Sequence, residues 1–277
     1  GAGGTVGSQL INDKRVKALS FTGSVRTGAT IAASCSANGT KYQLEMGGKN
    51  PLVVLDDADL EVALSSAINS AFFSTGQRCT ASSRIIVTEG IYSRFCDELV
   101  SRVSALKVGD ALEPSTQIGP VSDKNQLEQD LKYIEIGKKE GAVLACGGEL
   151  LECDKPGYYL SPAVFLDTKN TMQINQEEIF GPIAAVIKVK NYEEALRVAN
   201  ETAFGLSAGI CTQSLRHAHH FKRYAQAGMV MVNLPTAGVD YHVPFGGVKG
   251  SSFGAREQGR YAAEFYTQIK TSYMAAG

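Results

Sequence analysis

The sequence predicts an α/β fold in which a largely parallel sheet carries helices on both faces. Three observations lead there. Short β-rich runs alternate with helical stretches along most of the 277 residues. The runs at 51–55 and 183–189 are apolar without alternation except at Lys188, as strands buried on both faces are. Between such runs, apolar residues recur at helical spacing, giving helices with one face to bury.

In chain order, 16–21 reads as a strand, followed by a turn at Gly23-Ser24 and a helix over 27–37. Residues 42–46 alternate like a strand, and 51–55 form a second. The helix at 59–73 stops near Gly76, strand 84–88 follows, and 92–106 is amphipathic. A more polar helix over 123–140 precedes a short strand at 143–145 and a Gly147-Gly148 turn. Strands at 158–165 and 183–189, helix 192–202, strand 207–211, helix 215–225 and strand 229–232 complete the alternation. Segment 233–254 is rich in Gly and lacks periodicity, and a loop of that length is usually functional. Residues 265–273 alternate apolar and polar, which predicts a terminal strand that must pair with its own domain or with a partner subunit.

Composition narrows the class. Hydrophobic residues make up 44%, charged residues 20%, and the formal net charge is −1. No basic stripe interleaves with aromatics, which argues against nucleic acid as a partner. No apolar run reaches the roughly 20 residues that span a bilayer. A soluble, cytoplasmic protein is the expectation. The chain opens Gly1-Ala-Gly3-Gly4-Thr-Val-Gly7 with no initiator Met and no signal-peptide pattern, which suggests a fragment. A glycine-rich phosphate loop would need a strand before it, so these glycines are a weak motif.

None of the six cysteines, 35, 79, 96, 146, 153 and 211, pairs at CxxC spacing, so neither a zinc site nor a redox pair is expected. His217, His219 and His220 share a predicted helix, with no partnering Cys or carboxylate motif, and no metal is expected. Cys96 falls within an amphipathic helix and Cys211 ends an apolar strand, so both read as core. Cys79 follows the end of a helix, beside Arg78 and ahead of Thr80-Ala-Ser-Ser83. A new helical turn there would favour the thiolate. Glu45 ends a strand directly before Gly47-Gly48, where an open α/β sheet borders its ligand crevice. Spacing alone leaves a structural thiol and an exposed turn glutamate as the alternatives.

Together these residues resemble the aldehyde dehydrogenase superfamily. The likeness rests on Leu44-Glu45-Met-Gly47-Gly48 and, thirty-four positions after Glu45, on Cys79 in Gly76-Gln-Arg-Cys79. It extends to Phe21-Thr-Gly-Ser24 with Gly28, to Glu177-Glu178-Ile-Phe180-Gly-Pro182, and to Asn233 with Pro244-Phe-Gly-Gly247-x-Lys249. Within the superfamily, Gly76–Arg84, Pro235–Phe245 and Ser251-Ser252 are most similar to 2-oxoglutarate semialdehyde (2,5-dioxopentanoate) dehydrogenases. Many relatives have Ser-Gly at 251–252.

The resemblance implies an aldehyde dehydrogenase-like fold with part of a Rossmann-like nucleotide-binding domain. Residues 1–46 would be the remnant of that domain, 47–247 the catalytic domain, and 248–277 a segment with an oligomerisation strand. It implies NAD(P)-dependent oxidation of an aldehyde, such as a semialdehyde, to its acid. Cys79 would attack the carbonyl and pass through a thiohemiacetal and a thioester, its backbone N–H helping to hold the oxyanion. Glu45 would then activate water. Gly23, Ser24, Glu45, Gly47, Glu178 and Phe180 would contact NAD or NADP. Phe73, Arg78, Thr80 and Phe245 would face the substrate, with Arg78 able to pair with a distal carboxylate. A homo-oligomer, dimer or tetramer, is implied for the full-length enzyme. The family's oxyanion Asn and ribose Lys belong to an upstream segment, so this chain by itself is expected to be an incomplete enzyme. The alternatives are a cysteine-dependent thioester hydrolase or acyl-transferase, against which the ribose-clamp motif weighs, and a non-catalytic assembly piece.

Overall fold

The computed structural model describes residues 1 and 3–277. A π-helical turn at Gly3–Gly7 runs into α1 (Ser8–Asn12). Then come β1 (Ala18–Thr22), α2 (Val25–Asn38), β2 (Lys41–Glu45), β3 (Pro51–Val54) and α3 (Leu60–Phe72), with a 3₁₀ turn at Phe73–Gly76. Next are β4 (Arg84–Thr88), α4 (Glu89–Ser104), α5 (Lys124–Lys139), β5 (Val143–Cys146), β6 (Leu150–Leu151), β7 (Tyr159–Leu160), β8 (Ala163–Thr168) and α6 (Gln173–Gln176). The chain continues through β9 (Ile183–Val189), α7 (Tyr192–Asn200), β10 (Ser207–Cys211), α8 (Leu215–Tyr224), β11 (Met229–Val232), β12 (Ser252–Phe253) and α9 (Gly259–Tyr266).

The main sheet has seven strands in the order β11-β10-β3-β4-β9-β8-β5. All neighbours run parallel except β5, which closes one edge antiparallel to β8. The apolar runs explain its placement. Leu52, Val54, Ile85, Val87, Ala184 and Val186 point to the face covered by α3 and α4. Their chain neighbours Val53, Leu55, Ile86, Ile187 and Val189 point to the face covered by α7 and α8. With both sets of this period of two buried, polar residues are confined to the strand ends, at Arg84, Thr88 and the exposed Lys188. Side-chain caps start the covering helices: Asp59 accepts from the Val62 N–H, Asn191 from Glu194, and Ser214 from His217. Each such cap stabilises its helix by about 1 kcal/mol.

A second sheet, β1-β2-β12, lies beside the first. β1 and β2 run parallel with Thr22 opposite Glu45, and β12 pairs antiparallel with β2, placing Ser252 opposite Glu45. Only Met46–Asn50 separates β2 from β3, so one short link joins the two sheets.

Three expectations change. The strand expected at 158–165 is broken at Ser161-Pro162, because proline donates no ladder hydrogen bond. The helix expected to 202 stops at Asn200. The terminal strand expected at 265–273 does not pair with its own domain: Phe265 and Tyr266 close α9, and the residues after it have no ladder partner among the described residues. Ile269, Tyr273 and Met274 are almost fully exposed there, as befits a segment whose hydrogen-bonding groups are left without a neighbouring strand.

Candidate active site

Glu45 ends β2 with its side chain 2% exposed. Oε2 accepts from Ser252 Oγ at 2.5 Å, while Oε1 is buried without a hydrogen-bond partner. Burial raises its pKa to about 7; the Ser252 hydrogen bond opposes the rise, Glu257 adds to it and Arg256 opposes it. The carboxyl therefore exchanges its proton near neutrality, as a general base must.

Cys79 sits in a turn between the 3₁₀ end of α3 and β4, not at the start of a new helix. Its thiol is pushed upward, chiefly by burial and then by the negative charge of Glu178, with Glu45 adding to the effect. The N–H groups of Cys79 and Thr80 oppose this by favouring the thiolate. The expected depression by a helix terminus is thus corrected: burial outweighs two local amides. Arg78 turns its Nη2 back to donate to the Asn69 carbonyl, and its charge interacts with the Cys79 thiolate without outweighing burial.

The Cys79 turn is fixed through its carbonyls. Asn50 Nδ2 donates to Cys79 O and to Ala81 O, each at 2.8 Å, and Asn50 Oδ1 accepts from Ser207 N at 3.0 Å. Thr236 Oγ1 donates to Thr80 O at 2.8 Å, so the hydroxyl contact of 2.7 Å between Ser82 and Thr236 has Ser82 as the donor. The Ser82 N–H in turn reaches Ser70 O. Three successive carbonyls are thereby turned into the protein. Gly76, with φ of 65°, packs so closely on the Gly181 carbonyl that no side chain fits.

Glu178 is the third carboxylate in this neighbourhood. Its Oε1 accepts from Gly48 N at 3.1 Å, and burial raises its pKa while that N–H and Lys49 lower it. Gly47 is the close approach: a Cβ there would overlap the Glu178 carboxylate. Phe180, two residues on, adopts φ of 65° and leaves its ring partly exposed. From α5, Gln126 and Gln129 both donate to the Ile179 carbonyl, at 3.0 and 2.7 Å, which fixes this segment.

Beneath the link lies a pair of buried cations. Lys49 is 1% exposed, its Nζ has no partner, and burial followed by Arg84 lowers it to about 7. Arg84 is fully buried and donates to the carbonyls of Lys49, Val198 and Ala199 and to Asn170 Oδ1. Burial lowers its pKa to about 10.

At this same end of β2, Gly23 N donates to the Glu45 carbonyl at 3.0 Å. Ser24 caps α2 by accepting from Thr27 N at 3.3 Å, leaving an exposed helix N-terminus. Of the remaining sequence-derived positions, Thr80 is buried in the Cys79 turn. Phe73 borders a groove of about 360 Å³ with Ile68, Asn69 and Leu106. Phe245 exchanges paired backbone hydrogen bonds with Glu257, each 2.9 Å. Lys249 donates to the carbonyls of Asn200 and Thr202. The helix-borne histidines pack α8 on α7: His220 Nδ1 lies 2.7 Å from Tyr192 Oη, and His217 stacks on the same ring.

Sequence reasoning missed Asn50, Thr236 and the buried Lys49–Arg84 pair, and assigned no role to Ser252. The available signal was the polar run Lys49-Asn50 directly ahead of an all-apolar strand, where a long polar side chain must be buried and therefore bonded.

Comparison with known proteins agrees with this geometry. The sequence model of the aldehyde dehydrogenase family matches residues 1–272. Alpha-ketoglutaric semialdehyde dehydrogenase of Bacillus subtilis (strain 168) is 50% identical over 276 residues, covering 99% of this chain and 57% of that protein. A betaine aldehyde dehydrogenase of Cereibacter sphaeroides (strain ATCC 17029 / ATH 2.4.9) is 43% identical over 274 residues, 99% of this chain and 56% of its own. The solved structure of HpcC from Thermus thermophilus superposes with a TM-score of 0.93 at 42% identity, over 98% of this chain and 53% of that one. An NAD+ complex of aldehyde dehydrogenase from Bacillus cereus gives 0.94 at 38% identity, over 98% and 54%. The chain spans about half the length of the relatives it matches. It belongs to the aldehyde dehydrogenase family.

Proposed function

We propose that this chain carries the nucleophile and general base of an NAD(P)-dependent oxidation of an aldehyde to its carboxylic acid. The observation that carries the reading is the relation of Glu45 to Cys79. A buried carboxyl whose pKa is raised to about 7, with Oε1 uncommitted, lies near enough for its charge to act on a thiol held in a fixed turn.

In this reading the Cys79 thiolate adds to the aldehyde carbonyl, forming the C–S bond of a thiohemiacetal, and the amides of Cys79 and Thr80 face the oxygen that becomes negative. A nicotinamide cofactor, when bound, supplies the hydride acceptor for the step that leaves a thioester on Cys79. Glu45 Oε1 then takes a proton from water, whose oxygen attacks the thioester, and the acid leaves with the thiolate restored. The residues fit such a cofactor. The exposed start of α2 at Gly23-Ser24 suits a pyrophosphate, Glu178 suits ribose hydroxyls in the space a side chain at 47 would fill, and the exposed Phe180 ring offers an apolar face.

The substrate we propose is a semialdehyde bearing a distal carboxylate, such as 2-oxoglutarate semialdehyde. Support comes from the 50% identical relative that bears that activity in its name, and from Arg78. Its positive charge interacts with Cys79, which favours an anionic aldehyde over a cationic one such as betaine aldehyde. We also read the exposed segment after α9 as the pairing strand of a homo-oligomer, and the boundaries after residues 46 and 247 as domain limits. The test is nicotinamide reduction by the full-length protein with each aldehyde. A higher kcat/KM for the semialdehyde that collapses in Arg78→Met supports the assignment. Equal values for both aldehydes refute the substrate, and thioester hydrolysis without cofactor reduction refutes the oxidation.

A further inference from the structure

The Glu45 carboxylate is held by one residue that the reaction itself does not require. Ser252 Oγ accepts from the Gly247 N–H at 2.6 Å. A hydroxyl has a single proton, and with its lone pair engaged by that amide, the proton is directed to Glu45 Oε2 at 2.5 Å. Glu45 is 2% exposed, and Oε1 has no partner among the described residues. The register of β12 against β2 places Ser252 directly opposite Glu45, so the tether is built into the ladder.

We propose that Ser252 is a positioning residue for Glu45: the Gly247–Ser252–Glu45 chain fixes Oε2 and leaves Oε1 as the oxygen that takes the proton from water. This rests on the reading of Glu45 as general base. The groups that act on the carboxyl come from three places. Ser252 on β12 donates to it, Arg256 and Glu257 from the segment after β12 act with opposite signs, and Cys79 in the turn before β4 interacts with its charge. Of these, Ser252 is the only donor bonded to the carboxylate among the described residues. A hydrogen bond to the ionised form favours it, so removing the donor moves the titration of Glu45 upward.

The test uses p-nitrophenyl acetate and the full-length protein. Cys79 displaces p-nitrophenolate to form an acetyl thioester, and water then releases acetate with Glu45 taking the water proton. The burst reports acylation, and the steady state reports deacylation when release is limiting. In the wild type, deacylation should rise with pH about a midpoint near 7. Ser252→Ala and Ser252→Gly, both lacking the donor, should move that midpoint up by about one pH unit. Deacylation at pH 7 would then fall about fivefold and converge with the wild type at high pH, while the burst amplitude is kept. Ser252→Thr, which restores a hydroxyl, should return the midpoint. An unmoved midpoint in either donorless variant that keeps its burst overturns the proposal. A pH limb that survives in Glu45→Gln shows instead that the general-base reading is wrong, and the Ser252 role falls with it.

Discussion

Asn50 holds the Cys79 carbonyl at 2.8 Å with the same amide nitrogen that holds Ala81, while its oxygen takes the Ser207 N–H. One side chain directly before β3 therefore sets the backbone of the Cys79 turn and anchors it to β10. Asn50→Ala would leave two carbonyls and one N–H buried without partners. The expected cost is about 3 kcal/mol of stability, read as a lower urea midpoint. The iodoacetamide reactivity of Cys79 should change as well, because the amides that bear on the sulfur lose their fixed direction. Stability within about 0.5 kcal/mol of wild type, the size expected for an ordinary surface substitution, would refute the role.

The two reacting residues should fail in different ways. Cys79→Ala is expected to abolish cofactor reduction and the p-nitrophenolate burst together. Glu45→Gln should keep a burst of reduced cofactor, one per site, and slow the steady state by about 10²–10⁴-fold, the usual contribution of general acid–base catalysis. Rapid-quench or stopped-flow absorbance separates the phases. Near-normal turnover in Cys79→Ala would defeat the mechanism.

Gly47 tests the cofactor reading without touching the thiol. Its missing side chain is the space taken by the Glu178 carboxylate. Gly47→Ala should push Glu178 off the Gly48 amide and raise the KM for NAD+ by about tenfold, the worth of one lost hydrogen bond to a charged group. Acetyl-thioester hydrolysis should continue. A proportional loss of both activities would point to general misfolding of the link instead.

Asp130 gives the pH dependence of stability a sign. It is fully buried on α5, against the Gly181 backbone, and burial raises its pKa to about 7 although Gln126 lowers it. Between its ordinary value of 3.8 and about 7, the folded state keeps a proton that the unfolded state has released. Its contribution to stability is therefore full below the lower value, declines as pH rises through the window, and is lost above the upper one. Asp130→Asn removes the titration. Its melting temperature relative to wild type should climb by several degrees from pH 5 to pH 8. A constant difference across that range would show that Asp130 is already ionised in the fold.

The sequence carried the central sheet well, because 51–55 and 183–187 admit only one environment: apolar at every position, they must be covered on both faces. Cys79, Glu45 and Glu178 could be named because their motifs together resemble those of the aldehyde dehydrogenase family; residue type and spacing alone left a structural thiol and an exposed turn glutamate open. What could not be read was direction. Whether Arg78 faces the thiol or turns back to Asn69 depends on side-chain torsions that leave no trace in spacing. The sign of the Cys79 shift likewise depends on burial created by segments far away in sequence, among them the one bearing Glu178. Asn50 and Thr236 were silent for a related reason. Each looks like an ordinary loop residue until the chain brings its carbonyl partners to it. The tail after α9 was read as a strand from alternation alone, yet alternation names a shape and supplies no neighbour.

The β2–β12 ladder also orders events in time. Glu45 and Ser252 are separated by 207 positions, and contacts that close so long a loop form late. As the chain leaves the ribosome N-terminus first, Glu45 and then Cys79 emerge before the residue that holds Glu45. Until residue 252 is made, the nascent protein has the Cys79 thiol and an untethered Glu45. A translation product ended between Cys79 and Ser252 would therefore carry both groups without the hydroxyl that holds the acid.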